Sequence, residues 1–199
     1  MRFVIATGNR HKLGEFRGIF AGHEVEAMPS DVGLPPEGEE SFAVNALVKA
    51  EALAQALRVS SAAPLCLADD SGLEVEALDW APGVTSSRYC GHEGDDAANV
   101  AKLLAALRGV APALRRARFV CCIACVLPDG RRFESRGEWW GAIAAAPRGR
   151  GGFGYDPVFV PEGSDLSVAE WPQAQKDAAS HRARAARAVL ATLTAEGVL

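Results

Sequence analysis

Two adjacent carboxylates, Asp69 and Asp70, follow a short apolar run in the sequence LCLADDSG at positions 65–72. The run at 65–68 predicts a buried strand that ends at Asp69, where carboxylates are costly unless a cation or hydrogen bonds compensate them. Ligands of α/β proteins bind at the carboxyl ends of strands. Because neighbouring strand residues point to opposite faces, we expect only one aspartate to face a site. A helix N-cap or a tight turn is the alternative.

A polar turn, Thr7-Gly8-Asn9, separates a predicted strand at 2–6 from a predicted helix. Backbone N–H groups at a helix start attract anions, and Lys12 adds a positive charge in the first turn. The stretch therefore has the parts of a phosphate site, although it lacks the glycine pattern and the Gly-Lys-Ser/Thr ending of a P-loop. An ordinary turn between a strand and a helix is the alternative.

An acidic loop at 29–40 precedes a strongly predicted helix at 41–58. The loop contains three glutamates, Glu37, Glu39 and Glu40. A solvated loop is one interpretation, and the other is that one glutamate shares a cation with Asp70, since Mg²⁺ prefers a few carboxylate oxygens plus substrate phosphates. Lys49 lies four residues after Asn45 and hence on the same helix face. Such a lysine is either solvated or a phosphate ligand.

A glycine-rich sequence, PRGRGGFGYDP at 147–157, presents Phe153 and Tyr155 beside Asp156. It matches the spacing G-x-G-x-x-G, but that motif must open a helix, and Tyr155-Asp156-Pro157 prevents one. A flat ligand with polar edges, such as a nucleobase, suits this loop. A wide turn with its aromatic rings in the core is the alternative.

Basic side chains open the last predicted helix, which extends to about Thr194. They are Lys176, His181 and Arg182. Positive charge at a helix N-terminus opposes the helix dipole. The position therefore favours an anionic or polar ligand nearby.

Composition and charge exclude several classes of protein. The 199 residues suffice for one domain, 1–199, and 49% apolar with 23% charged residues is ordinary for a globular chain. The net charge of −4 argues against bulk binding to nucleic acid or anionic membrane. We expect no membrane span, because no apolar run is long enough, and no signal peptide, because residues 1–6 lead straight into a polar turn.

The five cysteines are odd in number and irregularly spaced, which fits a reducing cytoplasm. Cys122 and Cys125 lie three apart in a predicted strand at 118–127, so they face opposite sides and cannot share a metal. We expect all five cysteines to fill the core.

Six stretches, taken together and in this order, closely resemble the inosine triphosphate pyrophosphatase family. They are TGNxxK at 7–12, SFxxNAxxKA at 41–50, ADDSGL at 68–73, APG at 81–83 with SRY at 87–89, GGFGYDP at 151–157, and Lys176 with SHR at 180–182. The resemblance covers nearly the whole chain. It implies an α/β fold, an elongated mixed β-sheet with flanking helices, with two lobes around a central groove. It also implies a homodimer.

The resemblance implies hydrolysis of inosine or xanthosine triphosphates, ribo or deoxy, to the monophosphate and pyrophosphate. It implies Mg²⁺ bound by Glu37 and Asp70, with Glu39 and Glu40 close enough to leave the first assignment open. Asp70 is the family's proposed base, but a metal-bound carboxylate is a weak base, so we expect it mainly to orient the attacking water. We expect Asp69 to support Asp70 from behind.

Further residues are implied to bind the substrate, at its phosphates or at its base. They are Thr7, Gly8, Asn9, Lys12, Lys49, Ser71, Phe153, Gly154, Tyr155, Asp156, Lys176, His181 and Arg182. Phe153 is expected to stack on the base, and the polar side chains near it to read the base edge. Adenine lacks the 6-oxo group and N1–H of hypoxanthine, so donors that fit hypoxanthine would be left unpaired. Guanine shares both groups, so those two do not distinguish it.

One departure from the family pattern is Val44, where relatives have Glu. Ser41 and position 44 have the spacing of a capping box, so the usual Glu either caps the helix or binds metal. In the first case Val44 costs about 1 kcal/mol of stability, and in the second Glu37 must suffice. A nucleotide sensor without catalysis and a pyrophosphatase for modified pyrimidine nucleotides are the alternative functions.

Overall fold

The computed structural model describes residues 1–57 and 64–199, in which six strands form one mixed sheet flanked by helices. The strands are β1 Arg2–Ile5, β2 Glu24–Ala27, β3 Leu65–Val75, β4 Arg116–Val126, β5 Arg132–Ile143 and β6 Phe159–Pro161. The α-helices are α1 Arg10–Ile19, α2 Phe42–Leu57, α3 Asp96–Ala106, α4 Gln173–Ala179 and α5 His181–Ala195. Short 3₁₀ helices span Glu76–Leu78, Gly83–Arg88, Pro112–Leu114 and Val168–Glu170.

The sheet has the strand order β2-β1-β3-β4-β5-β6. β1 pairs in parallel with both β2 and β3, whereas β5 and β6 pair antiparallel. The chain passes from β1 to β2 through α1, the connection that parallel neighbours require. The predicted α/β class with a mixed sheet and flanking helices is confirmed.

The chain forms two compact units, whose boundaries fall within β3, β4 and β5 and after the first residue of α5. Unit 1 comprises Met1–Asp70, Cys121–Gly137 and Arg182–Leu199, and unit 2 comprises Ser71–Val120 and Glu138–His181. Each unit has its own apolar core.

The core of unit 1 lies where α1 and α5 cover the sheet. Phe3 of β1 stacks on Phe20 with the ring centroids 4.9 Å apart. From α5, Ala185, Val189 and Leu193 are buried at intervals of four residues, the spacing of one helical face. The periodicity of apolar residues thus explains why these helices pack here.

The core of unit 2 is more aromatic. α3 buries Val100 and Leu103 in it, and Trp139 packs edge-on against Phe159 with the ring centroids 5.7 Å apart. Asp95 caps α3 by accepting a hydrogen bond from the N–H of Ala98.

The prediction that the third strand ends at Asp69 is wrong. β3 is eleven residues long and extends from Leu65 to Val75, so both aspartates lie inside it. The strand can continue because the buried carboxylates have charged or hydrogen-bonding partners, described below. Neither an N-cap nor a tight turn forms at Asp69.

The prediction of one last helix from Lys176 is also wrong. α4 ends at Ala179, Ser180 is extended with φ −62° and ψ 161°, and α5 begins at His181. Lys176 therefore lies in the last turn of α4, where its charge complements the helix dipole rather than opposing it. His181 and Arg182 do open α5.

Four of the five cysteines are buried, as predicted, and all five are free thiols. Cys90 is only half-buried, so the prediction that every cysteine fills the core is wrong for this one. Over the described residues, no helix combines the length and the apolar character that crossing a membrane requires. The predicted helix end at Arg58 lies outside the described residues.

Candidate active site

Asp69 is the fully buried member of the aspartate pair. Its Oδ2 accepts hydrogen bonds from Nε and Nη2 of Arg182, at 3.2 and 3.0 Å, and lies 3.1 Å from Nζ of Lys12. Arg182 also donates through Nη1 to Glu15. Burial alone would raise the pKa of Asp69, but the charges of Lys12 and Arg182 outweigh it and hold that pKa well below its ordinary range. Two cations therefore compensate the buried charge of Asp69.

Asp70 has a different environment on the same strand. Its Oδ2 accepts a hydrogen bond of 2.8 Å from Nδ2 of Asn45, and its Oδ1 lies 4.0 Å from Nζ of Lys49. Burial raises the pKa of Asp70 above its ordinary value, against the opposing effect of Lys49. Adjacent carboxylates whose pKa values are pushed apart are typical of sites that divide proton-accepting and charge-supporting roles.

Asn45 joins Asp70 to the acidic loop. Its side chain accepts a hydrogen bond from the N–H of Gly38 at 2.9 Å and donates to the Gly38 carbonyl at 3.1 Å. This fixes the loop next to Glu37, whose Oε1 lies 2.5 Å from Nζ of Lys49. Burial alone would lower the pKa of Lys49, but the carboxylates of Asp69, Asp70 and Glu37 outweigh it and raise that pKa above its ordinary value.

The carboxylate oxygens around Lys49 are of the kind that binds a hard divalent cation. Mg²⁺ is held in proteins by one or two carboxylates with water and substrate phosphates, and Glu37 and Asp70 already share one positive charge, the Lys49 ammonium. Glu39 and Glu40 are exposed. Among residues 1–57 and 64–199 there is no group of three His, Cys, Asp or Glu side chains that could hold a metal.

The turn before α1 is organised by its own side chains. Oδ1 of Asn9 accepts hydrogen bonds from the N–H groups of His11 and Lys12, and Oγ1 of Thr7 accepts one from the N–H of Asn9. Asn9 is thus a helix N-cap. The turn and Gly8 are partly or fully exposed, and the Lys12 ammonium beside Asp69 gives this end of α1 its positive charge.

In unit 2, Asp156 connects two residues of the predicted base site. Its Oδ2 accepts a hydrogen bond of 2.9 Å from the N–H of Phe153 and lies 2.5 Å from Nζ of Lys176. The same Lys176 ammonium lies 4.3 Å from the centroid of the Phe153 ring. Gly152 has φ +70°, and a β-carbon there would clash with the Asp156 carboxylate, so the loop requires glycine at this position.

Three other predicted site residues of unit 2 are fixed by hydrogen bonds or ring contacts within that unit. The N–H of Gly154 donates to Oδ2 of Asp96, the first residue of α3, at 2.7 Å. The hydroxyl of Tyr155 donates to the Ser86 carbonyl at 2.9 Å, and the ring is part of the core. The His181 ring stacks on Phe119 with the centroids 4.8 Å apart.

The structure sorts the predicted residues by unit. Unit 1 contains the predicted phosphate and metal residues: Thr7, Gly8, Asn9, Lys12, Glu37, Lys49 and Asp70. Unit 2 contains Ser71 and the predicted base residues Phe153, Gly154, Tyr155, Asp156, Lys176 and His181. Arg182 belongs to unit 1, where its guanidinium donates to Asp69 and Glu15, so its contact with a base stays a prediction.

Three residues to which the sequence analysis assigned no role hold these side chains in place. They are Asn45 beside Asp70, Glu15 beside Arg182, and Asp96 beside Gly154. Asn45 had a signal, since it shares a helix face with Lys49. Glu15 had a weaker one, because it follows Lys12 by one helical turn. No local pattern indicated the bond from Asp96 to the glycine-rich loop.

The chain was compared with models of protein families, with related proteins and with solved structures. The model of the Ham1 family matches residues 3–192. A dITP/XTP pyrophosphatase of Nocardia farcinica is 48% identical over 98% of this chain and 95% of its own length, and one of Mycobacterium tuberculosis is 46% identical over 96% and 95%. The structure of the Staphylococcus aureus Ham1 protein matches with a TM-score of 0.84 and 38% identity, covering 98% of this chain and all of that one. On motifs, fold and full-length identity alike, this chain belongs to the Ham1 family.

Proposed function

We propose that the protein hydrolyses noncanonical purine nucleoside triphosphates, of the dITP and XTP type, to the monophosphate and pyrophosphate. The relatives named dITP/XTP pyrophosphatase support this substrate class. The observation on which the proposal depends is the aspartate pair of β3. One carboxylate is neutralised by Lys12 and Arg182, and the other lies within reach of Lys49 and Asn45.

Lys12 and Lys49 supply the positive charge that a triphosphate needs. Their ammonium groups lie beside Asp69 and beside Glu37, and phosphate oxygens are equally good partners for them. We assign both lysines, with the Thr7-Gly8-Asn9 turn and Ser71, to phosphate binding. Lysines aimed at the phosphates stabilise the charge that builds on departing pyrophosphate.

Glu37 and Asp70 are the residues that would hold Mg²⁺. When bound, the cation would neutralise negative charge on the pyrophosphate leaving group. Asp70 would orient the water that attacks the α-phosphorus and accept a hydrogen bond from it. Asn45 donates a hydrogen bond to Oδ2 of Asp70 and thereby helps to fix the orientation of this carboxylate.

The base would be recognised by residues of unit 2. The Phe153 ring offers a stacking surface, and the buried pair of Lys176 and Asp156 offers a donor and an acceptor for a base edge. His181 is fixed in orientation by its stacking on Phe119. We also assign Gly154, Tyr155 and Arg182 to base recognition. The hydrogen bond from the Tyr155 hydroxyl to the Ser86 carbonyl fixes the position of that side chain, and Arg182 follows His181 directly in the sequence.

We also propose a cytoplasmic homodimer. The five free thiols, four of them buried, support a reducing compartment. The dimer follows from the family resemblance. Sedimentation of the purified protein would test it, and a monomer at working concentration would contradict it.

Replacing Asp70 by asparagine tests the catalytic proposal. The Asp70→Asn variant keeps a hydrogen-bonding side chain of equal size but cannot accept a proton or neutralise a cation, so we expect pyrophosphate release from dITP with Mg²⁺ to fall by roughly 10²–10⁴-fold. Asp31→Asn, an exposed acid in the loop before α2, serves as the matched control and should retain the rate. A wild-type protein that binds inosine nucleotides without turnover would instead indicate a sensor.

A further inference from the structure

Lys49 places one positive charge near two acids, the buried Asp70 and the half-buried Glu37. Its Nζ is 2.5 Å from Oε1 of Glu37 and 4.0 Å from Oδ1 of Asp70. Lys49 and Asp70 are both buried, and Asn45 holds Asp70 and the loop around Glu37 in this arrangement. The Lys49 ammonium therefore lies close to both carboxylates.

The same two acids are the ones that would hold Mg²⁺. Two carboxylates brought together out of water repel each other unless a cation lies near them. A divalent ion bound to them would in turn be repelled by the ammonium, which is only one hydrogen bond away from Glu37. Lys49 and Mg²⁺ therefore compete for the same two side chains.

A lysine side chain can move away from such a position. Its ammonium ends a flexible chain of four carbons, and it binds phosphate oxygens as a point charge. The triphosphate of a bound nucleotide would give Lys49 an alternative partner. Mg²⁺ would then replace it at the carboxylates.

We propose that Lys49 is an internal counter-ion of the metal site, which keeps Glu37 and Asp70 in position in the substrate-free protein and passes to the phosphates when Mg²⁺ and nucleotide bind. This inference rests on the proposed function. Lys49 thereby makes metal binding dependent on substrate. Mg²⁺ alone binds weakly, and Mg²⁺ with a nucleotide binds tightly.

Titration calorimetry with Mg²⁺ alone, on the substrate-free protein, tests this inference. Lys49→Met removes the competing charge and keeps an unbranched side chain, so we expect Mg²⁺ to bind roughly tenfold more tightly than to the wild type. Lys12→Met is the matched control, because it removes a lysine of the same cluster that contacts Asp69 instead. Its affinity for Mg²⁺ should change much less.

Thermal unfolding gives a second readout that needs no activity. Without metal, Lys49→Met should melt below the wild type, and Mg²⁺ should raise its melting temperature more than that of the wild type. Lys49→Arg, which retains the charge, keeps the test available if the methionine variant does not fold, and should bind Mg²⁺ as weakly as the wild type.

Equal or weaker Mg²⁺ binding by Lys49→Met would overturn the inference, as would a tenfold gain in Lys49→Arg. Either result, together with release of pyrophosphate from dITP by the wild type, would leave the proposed function in place. The binding measurements therefore test the role of Lys49, and the turnover measurement tests the proposed function, independently of each other.

Discussion

At the scale of single residues, the proposed function depends on how the environments of Asp69 and Asp70 differ. The sequence predicted a site at this pair with only one aspartate facing it, and in the structure the two side chains have different environments. Their place inside β3 was not predictable, because the ion pair that makes burial tolerable joins Asp69 to Arg182, 113 residues along the chain. Local patterns do not reveal partners at that distance.

Val44 provides a prediction at this scale. Oγ of Ser41 accepts a hydrogen bond of 3.2 Å from the N–H of Val44, so half of a capping box already exists at the start of α2. Val44→Glu should complete it by accepting a hydrogen bond from the N–H of Ser41, and should raise the free energy of unfolding by about 0.5–1 kcal/mol. Urea unfolding measures this.

A glutamine at the same position separates the two roles of the family's glutamate. Val44→Gln can also complete the capping box but has no charge for a metal. If both variants gain stability and neither changes Mg²⁺ affinity, the glutamate acts in capping. A gain of Mg²⁺ affinity in Val44→Glu alone would contradict that assignment.

At the scale of secondary structure, strands and helices with a regular pattern of apolar residues were predictable from the sequence. A break between two helices that contains no glycine or proline was not. β1 and the start of α2 lie within one residue of the positions that the sequence predicted, 2–6 and 41. The break between α4 and α5 falls at Ser180 in the sequence AASHR, which has no helix-ending signal. The boundary between the two units lies close by, between His181 and Arg182, and no local sequence pattern indicates it.

The contact between α3 and the glycine-rich loop gives a prediction for an element. Asp96 accepts the N–H of Gly154, the residue between Phe153 and Tyr155. Asp96→Ala should loosen the loop and raise the KM for dITP by roughly three- to tenfold with a smaller effect on kcat. Asp96→Asn retains an acceptor and should restore most of the affinity.

Asp95 is the matched control for this contact. It caps the same helix through the N–H of Ala98 but makes no such bond to the loop. Asp95→Ala should therefore cost about 1 kcal/mol of stability and leave the KM nearly unchanged. Equal effects of the two alanine variants on KM would show that Asp96 acts only by stabilising α3.

At the scale of the whole molecule, two cores account for the stability, and buried proton-bearing groups in both make it sensitive to alkali. Burial raises the pKa of Cys66 to about 11 and that of Cys125 to about 12, both in unit 1, and raises the pKa of Tyr155 in unit 2. The folded state thus holds protons that the unfolded chain releases. Composition predicted the buried thiols, but not which core they occupy.

The sign of the pH dependence follows from these raised pKa values. Their contribution to stability is complete below the thiol's ordinary value of 9.0 and is lost as the pH rises through the folded values. We expect the free energy of unfolding to fall above pH 9 by roughly 1 kcal/mol per pH unit for each thiol. Urea titrations across this range would show it, and Cys66→Val with Cys125→Val should flatten the decline. If the free energy of unfolding of this variant fell equally steeply with pH, groups other than the two thiols would cause the decline.

The most direct test of the function is a comparison of kcat/KM for pyrophosphate release from dITP, XTP, dGTP and dATP with Mg²⁺. We predict rapid turnover of dITP and XTP, little turnover of dGTP, and discrimination against dATP of roughly 10⁴-fold, because adenine leaves the donors of the base site unpaired. Similar values for all four nucleotides would contradict the account, since Lys176, Asp156 and His181 would then not be reading the base.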